Sequence, residues 1–150
     1  MSVLSNIKQE TKSAWIPFPG IRGFEVHVGA MSREYLRKIR KEAEITKMDP
    51  MARTPVKELD DDIFAEKFAE KAILGWKGLT YRGLSDLMLI NEDAIEDLDE
   101  EVPFSTEDAI VLMKESQGFD SWLNQQVFNL QNFRGKSKTG NAKGAAKVSG

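Results

Sequence analysis

The sequence predicts a mainly α fold, with four to five helices, a small N-terminal β-hairpin and a disordered basic C-terminal tail. Three observations predict it. After residue 32, apolar residues recur at spacings of three and four in several stretches, the period of helices with one buried face. Before it, Phe24-Glu25-Val26-His27-Val28 alternates apolar and polar, the period of a half-buried strand. At the end, residues 134–150 hold five bases, no acid and a single larger aliphatic, Val148. Such a segment buries too little apolar surface to offset the entropy of ordering its backbone.

The elements follow in order. Residues 1–13 show no strong period and are expected to form a flexible arm. Trp15-Ile16-Pro17-Phe18-Pro19-Gly20-Ile21-Arg22-Gly23 carries two prolines and two glycines, which forbid a helix and mark turns. A hairpin over about residues 14–29 is expected, ended by Gly29, with His27 on its polar side. Ser32 is an N-cap for a helix whose stripe is Tyr35, Leu36, Ile39 and Ala43. That helix is expected to run to Met48-Asp49-Pro50, because the residue before a proline avoids the helical region. Residues 48–59, with two prolines, read as a linker or loop.

Asp60, Asp61 and Asp62 suit the positive end of a second helix, with Phe64, Phe68, Ala72, Ile73 and Trp76 as its stripe and Gly75 and Gly78 loosening its end. Leu84, Leu87, Met88 and Ile90 suggest a short helix or turn. Residues 91–101 are acidic and suit either a surface helix or a loop. Ser105 caps a third clear helix bearing Ala109, Ile110, Leu112 and Met113, which Gly118 ends. Phe119 starts the last helix, with Asp120 or Ser121 as cap, and Trp122, Leu123, Val127, Leu130 and Phe133 continue it. The expected organisation is an arm at 1–13, one mostly helical domain at 14–133 and the tail at 134–150.

Composition narrows the function. The 150 residues are 41% hydrophobic, enough for one domain with a modest core. The net charge of −3 conceals a block at 85–108 with ten acids and no base, opposed by the basic tail. The absence of cysteine excludes disulfides, thiolate metal sites and cysteine nucleophiles. A single histidine, His27, leaves no paired-histidine machinery. There is no Walker-type glycine loop and no G-x-S-x-G elbow. The acidic run lacks the central glycine of a calcium loop, so neither a metal nor any other cofactor is expected. No run of 18 apolar residues suggests a membrane span, and the polar N-terminus is unlike a signal peptide. A cytoplasmic, non-enzymatic protein that works by binding is therefore expected.

One ordered set of motifs goes further. Ala72, Trp76, Gly78 and Leu79 are followed by an acidic spacer. Then come Val102-Pro103-Phe104-Ser105, Glu107, Ala109, Leu112, Phe119 and Trp122. This series, over roughly residues 60–133, resembles the tail assembly chaperones of long-tailed bacteriophages, encoded just before the tape measure protein. The resemblance implies a mostly helical protein without catalytic residues. It would bind the aggregation-prone tape measure protein, keep it soluble, help tail tube subunits assemble around it, and be absent from the finished virion. Its implied setting is the host cytoplasm. Family members are often made in two lengths through a ribosomal frameshift, and a chain ending in a flexible Lys/Gly tail is compatible with the short form. Partners implied are the tape measure protein and the tail tube protein, together with self-association.

A chaperone for a long helical chain needs an apolar and aromatic groove. The candidates for its lining are Leu79, Phe104, Phe119, Trp122 and Phe133, with Trp76 as core or groove. Two other readings are a nucleic-acid-associated regulator using the basic helix at 33–47 and the tail, and a minor structural subunit of the virion.

Overall fold

The computed structural model describes residues 2–4, 12–48, 50–51 and 54–134. Strands β1 (Ser13–Pro17) and β2 (Glu25–Gly29) pair antiparallel, from Ser13 opposite Gly29 to Pro17 opposite Glu25. Alternation divides their side chains between two faces. Ala14, Ile16, Val26 and Val28 point to the core; Ser13, Trp15, His27 and Glu25 point away from it. Gly20 and Gly23, both at positive φ, turn the chain between them.

The fold is mixed α/β, not mainly α: 46% of the described residues are helical and 22% lie in strands, in two sheets with five strands. Two segments account for the correction. The first is β5 (Ile73–Lys77), expected to be helix and found as the third strand of the β1-β2-β5 sheet. Its pairing with β2 is antiparallel, and the register slips between His27 and Val28, so that Val26 faces Trp76, His27 faces Gly75, and Val28 faces Ile73. Leu74 is the extra residue of a bulge. The bulge turns Ile73 and Trp76 to the same inner face although they are three apart. A bulged strand thereby imitates the three-residue spacing of a helix, and short apolar runs cannot be assigned by period alone.

The second segment is the ribbon of β3 (Glu44–Met48) and β4 (Pro55–Leu59), expected to be a helix end and a linker. Helix α1 (Arg33–Glu42) stops at Ala43, whose carbonyl accepts from the Asp60 N–H at 2.8 Å and closes the base of the ribbon. Glu44 pairs with Leu59 and Met48 with Pro55, while Lys47 and Glu58 meet across the strands at 3.1 Å. The β-branched Ile45, Thr46 and Val56 suit the pleat.

The remaining elements are helical. Ser32 and Asp60 cap α1 and α2 (Asp61–Ala72), with Asp60 accepting from the N–H groups of Asp62 and Ile63. A single turn, α3 (Tyr81–Leu84), leads into the acidic segment, a loop with one 3₁₀ turn at Glu92–Ala94. Ser105 caps α4 (Thr106–Glu115). The last helix, α5 (Gln117–Val127), begins earlier than expected: its cap is the buried Ser116, whose hydroxyl accepts from the Phe119 N–H at 3.1 Å, and Gly118 falls in its first turn. It also ends earlier. The Val127, Leu130 and Phe133 stripe, expected as one helix, breaks after Val127 and resumes as a 3₁₀ turn at Leu130–Phe133.

Helix α2 packs on α4, α4 on α5, and α5 on β2, so the helices cover one face of the three-stranded sheet. Phe24, Leu112, Phe119 and Leu123 are almost wholly excluded from solvent between the layers. The expected arm and tail fall largely outside the described residues, at 5–11 and 135–150.

Gly78 joins β5 to α3 at φ 76°, and a Cβ there would overlap the carbonyl oxygen of Gly23. Gly20, at φ 93°, has open space around it. Gly78→Ala is expected to cost more than about 2 kcal/mol, because strain and overlap add. Gly20→Ala, with strain alone, is expected to cost about 1 kcal/mol. Urea unfolding of the two variants tests this; equal losses would show that the approach of the two backbones carries no weight.

Candidate interaction groove

Five of the six residues named as candidate lining are buried: Trp76, Leu79, Phe119, Trp122 and Phe133. Phe104 is half-buried and meets Trp76 edge-on at 5.1 Å between ring centroids. The Trp76 indole N–H donates to the Val102 carbonyl at 2.9 Å, holding the segment that carries Phe104 against β5. Phe119 stacks on Phe18 and Phe24, and Phe18 meets Trp122 edge-on at 5.0 Å. These rings form the core between sheet and helices. They do not converge on a common exposed surface.

Phe133 is the exception, because it also borders a groove of about 680 Å³ that opens where α5 breaks. Asn129 starts the new turn by accepting from the Gln131 N–H at 3.1 Å, and the Asn132 amide donates back to Gln126. The break sets the 3₁₀ turn against the segment leaving β2. There the Met31 N–H donates to the Val127 carbonyl at 3.3 Å and the Ala30 N–H to the Lys12 carbonyl at 2.8 Å. The floor is apolar: Ala30, Met31, Val127, Phe128, Leu130 and Phe133. Of these, Leu130 is 72% exposed and Phe128 44%, far more than a core position allows.

The rim is basic. Lys12, Arg33 and Arg134 border the groove, and Lys12 is shared with a neighbouring depression of about 360 Å³ that adds Lys71 and the half-exposed Leu74. Among the described residues no Asp or Glu lines either depression, and none of the four cations is in an ion pair. Lys71 instead lies over the Tyr35 ring at 5.0 Å from its centroid. The hydroxyl of Ser32, the one side-chain hydroxyl that lines the groove among the described residues, is committed to capping α1. Shape and charge are what this arrangement offers a ligand.

The perturbed carboxyls lie elsewhere. Burial pushes Asp120 up, against the Asn124 amide, which favours its ionised form. The Arg82 guanidinium holds the exposed Asp99 down by hydrogen bond and charge. On the outer face of the sheet, His27 stacks on Trp15 at 4.8 Å and is hydrogen-bonded to the Ser13 hydroxyl, with the Lys77 ammonium 4.6 Å from the Trp15 ring centre. Among the described residues no group of three or more His, Cys, Asp or Glu is placed to hold a metal ion, and no helix is long and apolar enough to cross a membrane.

Sequence periodicity missed the groove because it reads apolar residues as one continuous stripe. The available signal was Phe128. It lies off the Trp122, Leu123 and Val127 stripe and next to Asn129, a residue suited to helix ends. Phe119→Ala is expected to cost about 3–5 kcal/mol, as loss of a core ring does. Leu130→Ser is expected to stay within about 0.5 kcal/mol of the parent. Thermal or urea unfolding of both separates core from surface; a costly Leu130 change would place that residue in the core.

No curated protein and no solved structure matches the chain. A family model does, across residues 22–144, a span that includes β2 and β5 of the sheet, the helices that cover it and most of the groove's lining. The chain belongs to the YdaY prophage protein family and is phage-encoded.

Proposed function

We propose that this protein is a non-catalytic tail assembly chaperone that binds the tape measure protein in the host cytoplasm, keeps it soluble while tail tube subunits assemble around it, and is absent from the finished virion. The observation that supports this most is the open apolar groove with Phe128 and Leu130 exposed in it. A tape measure protein is a long helical chain with apolar faces, and such faces aggregate unless covered. A groove with an apolar floor receives one face of a helix and leaves the polar face in water. The phage family and the ordered motifs from Ala72 to Trp122 point the same way. The tail tube protein and a second copy of this chain are further partners under this reading.

Co-expression with the tape measure protein of the same phage tests it. The expected outcome is co-purification and a shift of the tape measure protein from pellet to supernatant, together with absence of this chain from purified virions by mass spectrometry. No association and no gain in solubility would overturn the proposal. Presence in virions at stoichiometric amounts would favour a structural subunit instead.

A further inference from the structure

The groove's rim has a definite chemistry that the need for an apolar surface does not require. Lys12, Arg33 and Arg134 line the groove and Lys12 and Lys71 the adjoining depression; among the described residues no carboxylate lines either, and none of the four cations is in an ion pair. Beyond Arg134 the sequence adds Lys136, Lys138, Lys143 and Lys147 without an acid. A basic partner helix laid on this floor would bring like charges together over surface it also desolvates, which is costly; an acidic one would find counter-charges in the lining.

We propose that the groove is a docking site for an acidic amphipathic helix. Its apolar residues, spaced three and four apart, sit on Met31, Phe128, Leu130 and Phe133, and its flanking carboxylates meet Lys12, Arg33 and Arg134. The floor favours a helix over nucleic acid: it is apolar and concave, and its one side-chain hydroxyl is already used as a helix cap. Among the described residues no side-chain amide lines it either, so base edges would meet no Asn or Gln there. In the setting of the proposed function, the groove would select acidic-flanked segments of the tape measure protein; that extension rests on the chaperone reading, whereas the charge preference does not.

The test uses the full chain and two labelled synthetic peptides of about 18 residues, or five helical turns. Both carry the same leucine stripe; one has Glu and the other Lys on the flanks. Fluorescence anisotropy is expected to show the Glu peptide binding at least about tenfold more tightly, with the difference shrinking at 1 M salt as screening sets in. The double variant R33E/R134E is expected to reverse the preference. F128S/L130S, in exposed positions, is expected to weaken both peptides while circular dichroism and unfolding stay as in the parent. Equal affinity for the two peptides, or a preference untouched by R33E/R134E, overturns the proposal. So does binding of duplex DNA or anionic phosphatidylglycerol vesicles, competed by neither peptide, that F128S/L130S leaves unchanged. Co-purification of tape measure protein with F128S/L130S at parental level removes the groove from the chaperone reading and leaves that reading standing. A charge-selective groove in a chain that ignores the tape measure protein does the reverse.

Discussion

Pairing of β5 with β2 is the constraint on which the rest of the molecule hangs. Helix α2 passes into β5 without a loop, and Gly78 lets the chain turn immediately afterwards against Gly23. The bulge at Leu74 sends both Ile73 and Trp76 inward, where they join Val26 and Val28 in the sheet's buried face. Trp76 then fixes the acidic segment's far end through the Val102 carbonyl, and Leu79 and Val102 are joined by a backbone hydrogen bond of 2.6 Å. Without this third strand the helices would have only a two-stranded hairpin to cover, which is marginal in water.

The same sheet separates the charges. The acidic segment is anchored just beyond the end of β2 that starts at Glu25, through Gly78, Thr80 and the Arg82–Asp99 pair. The groove lies just beyond the other end, after Gly29, with its basic rim. A five-residue strand is roughly 17 Å long, more than a Debye length at physiological salt, so the two regions act on partners largely independently. The net charge of −3 averages over these regions of opposite sign and the rest of the chain.

Much of the helical part was legible in the sequence. Ser32, Asp60 and Ser105 are caps where local chemistry alone places them, since a side-chain oxygen beside free N–H groups needs no distant partner. The hairpin's alternation was legible too, though it is two strands of a three-stranded sheet. Three features were not. The bulge gave β5 a helical spacing. The β3–β4 ribbon is held by register with a segment that reads alone as a linker. The break after Val127 interrupts a stripe that runs on in the sequence. Of the candidate lining residues, Phe133 alone reaches the groove; Trp76, Leu79, Phe119 and Trp122 are taken up in the core, and Phe104 packs edge-on against Trp76.

By itself the sequence determined the local physics. It set where helices begin, the alternation of the first two strands, the lack of thiol chemistry, the segregation of acids from bases, and a motif order resembling the tail assembly chaperones. Tertiary structure alone decided which apolar residues face water. That outcome depends on pairings between segments some fifty residues apart, such as Val26 with Trp76, and on where a helix breaks against a neighbouring strand. Neither leaves a local periodicity. The exposed Phe128 and Leu130 in a groove also lined by Lys12, Arg33 and Arg134, the most concrete lead to a partner, exist only because the chain is folded.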